Sequence, residues 1–530
     1  MNHTYFLRTS ASLWLALAMS CSFSARAAQR PNVLFILADD MGWQDTSVPF
    51  APKRTAWNDR YRTPSLERLA REGMKFTQAY ACAVCSPTRV SLMTGQNEAR
   101  HGVTQWTYLS GNEPSSDLEH PALLPAAWNW NGLQPEPGLM HAVSSPTLPA
   151  LLKQAGYHTV HFGKGHFGAA GTPGADPKSF GFDVRIGGRD AGGCGSYWGT
   201  KNFGAKKHPD GPWRAWDMDP YFGKDIHLTE ALTREAKREI RAAVEDGRPF
   251  FCYFAHYAPH TPIEPDERFA PMYRRAGLDD TEAAYASLIE GMDKSVGDLL
   301  DLIDELDIVD NTIVIFTSDN GGVSHAYRSM SPPHTHNSPL SSGKGAHHEG
   351  GIRVPLLVRW PGLTISGTTN ETPVIIYDWF GTLLKAAGVD IPRDIDGLDL
   401  VPLLRGETPS DFDRPLIWHF PNFWGPLQSD PIEGPGMGPS STIRCDDWKL
   451  IYYHDGPRFE LFDLASDLGE TKELSGENPH RVASLAKQLG EYLRPRNAAM
   501  PRVKKTNRLV PWPDEFLKQR QRLNTRPKGK

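Results

Sequence analysis

One short segment of the chain combines a thiol, a predicted helix start and a cation. Cys85 is followed at the second position by Pro87, a residue favoured in the first turn of a helix, and Arg89 lies one turn after Cys85. Free backbone N–H groups at a helix start bind oxyanions, and Arg89 adds a positive charge on the same side. The segment therefore predicts a reactive Cys85 beside an anion-binding site.

Three other uses of Cys85 are open at this point. A single cysteine is most often a buried structural residue. The spacing Cys82-x-x-Cys85 is also typical of a redox pair. A thiolate phosphatase would use the thiol directly, but that class of enzyme has a longer spacing between its cysteine and its arginine. The Pro87-Thr88-Arg89 sequence argues for a use of Cys85 other than a redox pair.

Pairs of oxygen ligands follow two predicted strands. Asp39 and Asp40 come directly after one apolar run, and Asp319 and Asn320 come directly after another. Ligands of open α/β sheets bind at the carboxyl ends of the strands, and adjacent aspartates repel each other unless a cation compensates them. Either pair alone could cap a turn or a helix. Together the two pairs predict a site for Ca²⁺ or Mg²⁺.

The elements that position these residues alternate between buried strands and helices. Strands are predicted at 32–38, 158–162, 249–255, 312–317 and 355–359, and helices at 64–73, 148–155, 283–306 and 376–387. Buried strands separated by helices are typical of an α/β domain with a parallel sheet. The loops at 107–146 and 168–224 are long and rich in Gly, Pro and Trp, which is typical of functional loops.

The pattern changes near residue 405. Short amphipathic strands at 450–453 and 459–462 precede a predicted helix at 480–493, which indicates a small α+β domain with an antiparallel sheet. The predicted units are a catalytic domain over 28–405, an α+β subdomain over 406–502 and a basic surface tail over 503–530.

The first residues predict export. Arg8 precedes an apolar run, and Ala25-Arg26-Ala27 has the small-x-small pattern of a cleavage site, so we expect residues 1–27 to be removed as a signal peptide. The apolar run is too short for a membrane anchor. A lipoprotein signal ending at Cys21 matches less well. We therefore expect the mature protein in the periplasm or outside the cell.

Charge and cysteine content narrow the function. The chain of 530 residues has a formal net charge of −5, which does not indicate a nucleic-acid-binding surface. No later apolar run is long enough to cross a membrane. The six cysteines are scattered and do not form a disulfide framework. Attraction for an anionic substrate must therefore come from local cations.

The motif at 85–89 and the segments around it resemble the formylglycine-dependent sulfatases, in the arylsulfatase A-like branch of the alkaline phosphatase superfamily. The resemblance extends over most of residues 31–495. The further matching segments are Asp39-Asp40-Met41-Gly42-Trp43, Gly163-Lys164-Gly165-His166-Phe167-Gly168, Ala258-Pro259-His260-Thr261-Pro262, Ser318-Asp319-Asn320-Gly321-Gly322, Gly343-Lys344-Gly345 with Glu349 to Pro355, and Arg444 to Leu464. The resemblance implies a large, mostly parallel mixed sheet flanked by helices, of the alkaline phosphatase type.

The resemblance also implies a nucleophile and a cofactor. A separate maturation enzyme would oxidise Cys85 to formylglycine, and the hydrated aldehyde would attack the sulfur of a sulfate ester. A divalent cation, with calcium favoured over magnesium, would assist the attack. Its implied ligands are Asp39, Asp40, residue 85, Asp319 and Asn320.

Roles for the remaining motif residues follow from the same resemblance. Arg89 would stabilise the hydrated aldehyde, and Lys164 and Lys344 would hold sulfate oxygens. His260, with help from Lys344, would protonate the leaving alkoxide, and His166 would assist release of the sulfate from residue 85. Asp319 could take the proton of the attacking hydroxyl.

Departures from the family pattern bear on the substrate. Gly165 stands where Trp is common, and His347 and His348 stand where Thr, Ser or an aromatic residue is common. We expect these two histidines and His101, which follows the nucleophile helix, to line the substrate pocket. The long loops also hold tryptophans that could stack on sugar rings, namely Trp106, Trp128, Trp130, Trp198, Trp213, Trp216 and Trp424. We predict a sulfated carbohydrate substrate, with aryl sulfates as unnatural substrates.

Two alternatives are open. The first is a phosphonate monoester or phosphodiester hydrolase, because some relatives with that activity also use formylglycine. The second is a non-catalytic binding protein on the same scaffold, which the presence of all the motif residues disfavours.

Overall fold

The computed structural model describes residues 30–107, 120–204, 213–323, 337–423 and 436–524, together with Met1 and Gly211. The predicted signal peptide, with Cys21, and Trp424 lie outside the described residues. Among the helices of the described ranges, none is both long and apolar enough to cross a membrane.

A nine-stranded sheet forms the centre of the molecule. Its strands are β1 (Asn32–Ala38), β2 (Met74–Tyr80), β3 (His158–Gly163), β4 (Val184–Ile186), β5 (Phe250–Ala255), β6 (Thr312–Ser318), β7 (Arg353–Arg359), β8 (Thr368–Asn370) and β9 (Val374–Ile375). Their order is β8-β2-β7-β6-β1-β5-β3-β4, and β9 also pairs with β2. β1 is parallel to β5 and β6, whereas β7 is antiparallel to both of its neighbours. The predicted mostly parallel mixed sheet is confirmed.

Helices cover both faces of this sheet, and the last two helices of the chain pack on a second, smaller sheet. They are α1 (Ala56–Arg60), α2 (Pro64–Glu72), α3 (Cys85–Thr94), α4 (Glu98–His101), α5 (Leu148–Gln154), α6 (Leu228–Glu245), α7 (Ala270–Arg275), α8 (Asp280–Glu305), α9 (Glu349–Ile352), α10 (Asp378–Ala386), α11 (Val401–Leu404), α12 (Pro479–Leu493) and α13 (Pro513–Asn524). Side chains of β1 alternate between two cores: Phe35 lies with α3, α5 and α10, and Ile36 with α2, α6 and α8. This burial on both faces explains why β1 is apolar throughout.

A second, smaller sheet follows in the C-terminal region. Its strands are β10 (Leu416–Phe420), β11 (Ser440–Cys445), β12 (Trp448–Tyr453) and β13 (Arg458–Asp463), each antiparallel to the next. One apolar core joins this sheet to α12. The predicted antiparallel sheet is confirmed, and the exact boundary between the two domains stays a prediction.

The predicted basic tail is partly structured. α13 lies within it, and the ring of Phe516 contacts Tyr452 and Phe459 of the small sheet, at centroid distances of 5.8 and 5.7 Å. The first part of the predicted basic tail therefore packs on the small sheet through this aromatic contact, and the bounds of the tail stay a prediction. Two-residue strands pair Leu123–Leu124 with Arg502–Val503 and Leu133–Gln134 with Val143–Ser144.

Candidate active site

The predicted metal pairs meet where β1 and β6 end. Asp39 donates its backbone N–H to the carbonyl of Ala258, and Asp319 donates its own to the carbonyl of Ala38, both at 3.1 Å. Asp40 donates its backbone N–H to Oδ1 of Asp319 at 3.2 Å. Asp40 adopts a left-handed φ of 64°, a strained conformation of the kind that clusters at functional sites. The parallel register of β1 and β6 thus brings three carboxylates to one point.

The nucleophile segment forms the first turn of α3. The helix begins at Cys85, and the left-handed Gly95 (φ 70°) follows its last residue. The ring Nε2–H of His166 donates to the backbone oxygen of Thr107 at 3.2 Å, so Nδ1 faces Sγ of Cys85 at 3.3 Å. Burial lowers the pKa of His166, and the charge of Lys164 adds to this effect. His166 is therefore a neutral proton acceptor directed at residue 85.

Arg89 links the helix to the carboxylates. Its guanidinium donates twice to Oδ2 of Asp319, at 2.9 and 2.7 Å, and once to the carbonyl of Lys164 at 2.9 Å. All these groups are fully buried. Burial alone would raise the pKa of Asp319, but the charge of Arg89 and then that of Lys164 outweigh it and lower the pKa. Asp319 is thus held as an anion.

Each site lysine pairs with one aspartate. Nζ of Lys164 lies 2.8 Å from both oxygens of Asp39, and Nζ of Lys344 lies 2.6 and 2.8 Å from those of Asp40. Burial opposes the charge on Asp40, yet Lys344 holds its pKa below the usual range. The lysines predicted to hold sulfate oxygens are therefore directly beside the predicted cation ligands.

His260 faces the same carboxylates. Its Nδ1–H donates to the backbone oxygen of Thr261 at 2.8 Å, and its Nε2 lies 3.6 Å from Oδ2 of Asp40. A proton gained by this ring would therefore sit on Nε2, inside the site. Burial lowers the pKa of His260 to about 3, although the charge of Asp40 opposes the shift.

Asn320 supplies the test of whether these residues fit a cation. Its side-chain N–H groups donate to Oδ1 of Asp40 at 2.8 Å and to the carbonyl of Gly321 at 2.9 Å. Its Oδ1 is buried and has no hydrogen-bond partner among the described residues. An orphaned buried acceptor is costly, and a cation would satisfy it. Ligand atoms of Asp39, Asp40 and His260 lie within 4.8 Å of one another. Carboxylate and amide oxygens are the donors that Ca²⁺ and Mg²⁺ prefer.

The segment after β4 forms a wall of the site that sequence reasoning missed. His166 donates its backbone N–H to the carbonyl of Arg189 at 2.7 Å. A Cβ added to Gly192 would lie 2.6 Å from Cε1 of His166, and one on Gly193 would lie 3.2 Å from Cε1 of His260. The density of glycines between residues 187 and 195 was the available signal for this close approach.

Two further residues support this wall. A Cβ on residue 165 would lie only 2.5 Å from the carbonyl of Arg189. Gly165, where the family commonly has Trp, therefore leaves room for the wall to approach. The hydroxyl of Tyr197 donates to the carbonyls of Tyr257 at 2.6 Å and His260 at 2.8 Å. Tyr197 therefore fixes the backbone that carries His260, a role that nothing in the sequence indicated.

The three histidines predicted to line the pocket are instead buried in packing contacts. His101 accepts the N–H of Val103 on Nδ1, and its Nε2 lies 3.0 Å from Oγ of Ser91 in α3, so both nitrogens are used. His347 places Nδ1 3.0 Å from Oγ of Ser440 and from Oγ1 of Thr442 in β11. His348 lies against Phe462 of β13. Their exposures are 0%, 1% and 3%, and their role in substrate binding stays a prediction.

Most of the loop tryptophans pack against other side chains of the protein. Trp128 is buried in the core, Trp130 stacks on His141 at 3.4 Å, and Trp198 meets His227 edge-on at 5.5 Å. Trp216 lies 4.9 Å from the guanidinium of Arg189 and 4.9 Å from that of Arg214. Trp213 is 38% exposed. Trp106 is only partly buried and packs near Val84, which precedes Cys85. Trp106 therefore packs beside the residue that precedes the nucleophile.

Comparisons with known proteins agree with this arrangement. Residues 31–389 match the family model described as Sulfatase, and residues 343–498 match the one described as N-sulphoglucosamine sulphohydrolase, C-terminal. A sulfatase of Formosa agariphila is 31% identical, over 88% of this chain and 89% of its own. The N-acetylgalactosamine-6-sulfatase of Mus musculus is 33% identical, over 77% of this chain and 72% of its own. The crystal structure of Ps i-CgsB superimposes with a TM-score of 0.68 at 25% identity, over 94% of this chain and 98% of that one. The chain thus belongs to the sulfatase family and is a sulfuric ester hydrolase.

Proposed function

We propose that the protein hydrolyses sulfate esters of a carbohydrate, with residue 85 in the formylglycine form and a divalent cation bound by Asp39, Asp40, Asp319 and Asn320. The observation that carries the proposal is Oδ1 of Asn320, which is buried at the strand ends without a hydrogen-bond partner in the part of the chain that the structure describes. The start of α3 and its Cys85 adjoin this cluster through Arg89.

The cation and the formylglycine hydrate together would supply a Lewis acid and an oxygen nucleophile at residue 85. The chain itself binds the sulfate. Lys164 and Lys344 are adjacent to the cation ligands, so their ammonium groups can turn to the sulfate oxygens when a cation takes over Asp39 and Asp40. Arg89 donates two hydrogen bonds to Asp319 and one to the carbonyl of Lys164, and it keeps its positive charge beside residue 85.

Two histidines are placed to move protons at different groups. The Nδ1–H of His260 is held by Thr261, so a proton that this ring gains sits on Nε2, from which it can pass to the leaving alkoxide. His166 presents the free Nδ1 to residue 85 and accepts the proton that is released when sulfate leaves that residue. Tyr197 keeps His260 in place through the two backbone carbonyls that it binds.

The substrate class rests on the relatives and on the predicted location. A relative that covers most of this chain is named for desulfation of a sugar, N-acetylgalactosamine 6-sulfate. The leader at residues 1–27 supports export to the periplasm or the exterior, where sulfated polysaccharides occur. A separate maturation enzyme would convert Cys85.

Paired ester substrates test this proposal. Protein whose residue 85 has been checked by peptide mass is assayed with N-acetylgalactosamine 6-sulfate and its 6-phosphate, and with matched aryl sulfate and aryl phosphate esters. We expect kcat/KM to favour each sulfate by at least ~100-fold, because the family to which the chain belongs hydrolyses sulfuric esters. A preference for the phosphate or for a phosphonate monoester would contradict the proposal and support the hydrolase alternative.

A further inference from the structure

One buried carboxylate lies beside the active site but outside the predicted cation ligands. Asp190 is 9% exposed and belongs to the glycine-rich wall after β4. The residue before it, Arg189, accepts the backbone N–H of His166 through its carbonyl, and the backbone of Gly192 contacts the ring of the same histidine. Asp190 is therefore anchored on both sides to a residue that faces the nucleophile.

Asp190 has few partners among the described residues. No other side chain of the described ranges donates a hydrogen bond to its carboxylate, whose charge is stabilised by its own backbone N–H and then by the charges of Arg189 and His166. The guanidinium of Arg189 itself lies over the ring of Trp216 at 4.9 Å. Burial outweighs these contributions and raises the pKa of Asp190. The carboxylate therefore keeps acceptor capacity that the other described side chains do not fill.

The position of Asp190 indicates which donors it lacks. The site lysines already bind Asp39 and Asp40, and Arg89 already binds Asp319. The wall that carries Asp190 instead borders His166 and, through Gly193, the ring of His260. The wall therefore adjoins the histidine that serves the leaving alcohol as well as the histidine that faces residue 85.

We propose that Asp190 accepts hydrogen bonds from free hydroxyl or amide N–H groups of the alcohol half of the substrate, and that it determines specificity for polyhydroxylated sulfate esters. The inference deepens the proposed function and rests on it. A carboxylate only accepts hydrogen bonds, so it selects a sugar ring that carries a free hydroxyl near the sulfated carbon. It also repels a second sulfate at that position, which distinguishes singly from doubly sulfated rings.

Two substrates separate this role from a structural one. Asp190→Asn and Asp190→Ala are assayed with N-acetylgalactosamine 6-sulfate and with 4-nitrophenyl sulfate, which has no hydroxyl. For Asp190→Ala we expect kcat/KM for the sugar sulfate to fall ~30- to 300-fold, because hydrogen bonds to a charged group are lost. The loss for the aryl ester is expected to be at least ~10-fold smaller. Asp190→Asn keeps one acceptor oxygen and falls between wild type and Asp190→Ala.

Asp217→Asn is the matched control. Asp217 lies in the same long loop, its side chain is 52% exposed, and it pairs with Arg185 at 2.7 Å. We expect this variant to retain wild-type kcat/KM on both substrates. Melting temperatures of all variants show whether they are folded.

The possible results distinguish the role of Asp190 from the proposed function. A selective loss on the sugar sulfate supports the role of Asp190. Equal losses on both substrates, or no loss on either, overturn that role while leaving the proposed function intact. Wild-type protein that hydrolyses only the aryl ester overturns both the carbohydrate proposal and this inference, and wild-type protein that releases no sulfate from either ester overturns the proposed function itself.

Discussion

Two of the buried charge clusters among the described residues differ in what they leave unsatisfied. The cation-site cluster consists of Asp39, Asp40, Asp319, Arg89, Lys164 and Lys344. The interface cluster consists of Glu349, Glu470, Lys449, Arg353 and Arg444. Both are almost inaccessible to solvent, and each mixes carboxylates with cationic groups. Burial and charge alone therefore do not distinguish a functional site from a structural contact.

The interface cluster joins the large sheet to the small one. Nζ of Lys449 in β12 lies 2.9 Å from Glu349 at the start of α9 and 2.5 Å from Glu470. Glu349 also accepts from Arg353 at 3.1 Å and from the hydroxyl of Tyr80 at 2.7 Å. Each of the two carboxylates is thus paired with a cationic group where the two sheets meet.

The two clusters differ in one buried oxygen. Oε1 of Glu470 has no hydrogen bond among the described residues, but Nζ of Lys449 lies 2.5 Å from it as an ion-pair partner. Oδ1 of Asn320 has neither a hydrogen-bond donor nor an ion-pair partner in the described ranges, and its cluster adjoins a helix start and two site histidines. A buried acceptor that no protein cation pairs, next to reactive groups, therefore marks the functional cluster.

Removal of the nucleophile should have the largest effect. Cys85→Ala is expected to lower kcat/KM for sulfate esters by at least ~1,000-fold, because no other group can form the covalent intermediate. Cys252→Ala, which alters another buried cysteine in the middle of β5, is the matched control and should stay within about threefold of wild type. Unchanged sulfate release by Cys85→Ala would refute the assigned nucleophile.

Removal of the buried lysine of the interface cluster should affect folding instead of chemistry. Lys449→Met leaves two buried glutamates without their shared cation, so we expect the free energy of unfolding to fall by about 3–5 kcal/mol. Urea unfolding measures this loss. The kcat of the molecules that remain folded is expected to change little, and a selective loss of kcat at full stability would show that this cluster acts in catalysis.

Lys344→Met is the counterpart in the cation-site cluster. We expect it to lower kcat/KM by about 100-fold, because a cation beside the sulfate oxygens is lost at the transition state. With the divalent cation bound, Asp40 keeps a positive neighbour, so the melting temperature should change less than in Lys449→Met. A larger loss of stability than of activity would reverse the comparison.

Asn320→Ala tests the unsatisfied acceptor directly. Loss of one oxygen ligand should raise the concentration of Ca²⁺ or Mg²⁺ that half-restores activity to the chelated enzyme by about 10- to 100-fold. Titration of metal-depleted protein with each ion measures the shift and shows which ion is preferred. An unchanged half-saturating concentration for both ions would remove Asn320 from the ligand set.

A buried histidine of the small sheet gives the smallest effect. The Nδ1 of His419 lies 2.8 Å from Oγ of Ser441, its Nε2 lies 2.9 Å from the carbonyl of Ala499, and burial lowers its pKa to about 4. A lowered pKa in the folded state gives stability that is present above pH 6.5 and lost as the pH falls towards 4. We expect this residue to remove about 2 kcal/mol of stability between pH 7 and pH 5. His419→Gln should show a flatter pH dependence in urea unfolding, and an identical slope would contradict the assignment.

The fold and the residues of the central site could be predicted from the sequence because both depend on local sequence patterns. The apolar runs of β1 and β6 end at acidic pairs, and parallel strands bring such ends together. Pro87 and Gly95 bracket α3 by ordinary helix preferences. These features depend on neighbours in the sequence, and the structure agrees with them.

The directions of individual side chains and the contacts made by the long loops could not be predicted in the same way. His347 follows Lys344 by three residues, yet it turns to β11 because Ser440 and Thr442 offer it hydrogen bonds. Asp190 and Tyr197 lie in a loop without periodicity, so only tertiary packing reveals their contacts with the site. Proximity in sequence to a reactive residue therefore did not predict the hydrogen-bond partners of these histidines.

Sulfate release measured against the converted fraction of residue 85 tests the central claim most directly. Samples that contain increasing fractions of formylglycine, quantified by the mass of the peptide that carries residue 85, are saturated with Ca²⁺ and given N-acetylgalactosamine 6-sulfate. The account predicts a rate of sulfate release that rises in proportion to the converted fraction and extrapolates to zero for the thiol form. Equal rates at all fractions, or no sulfate release from fully converted protein, would contradict it.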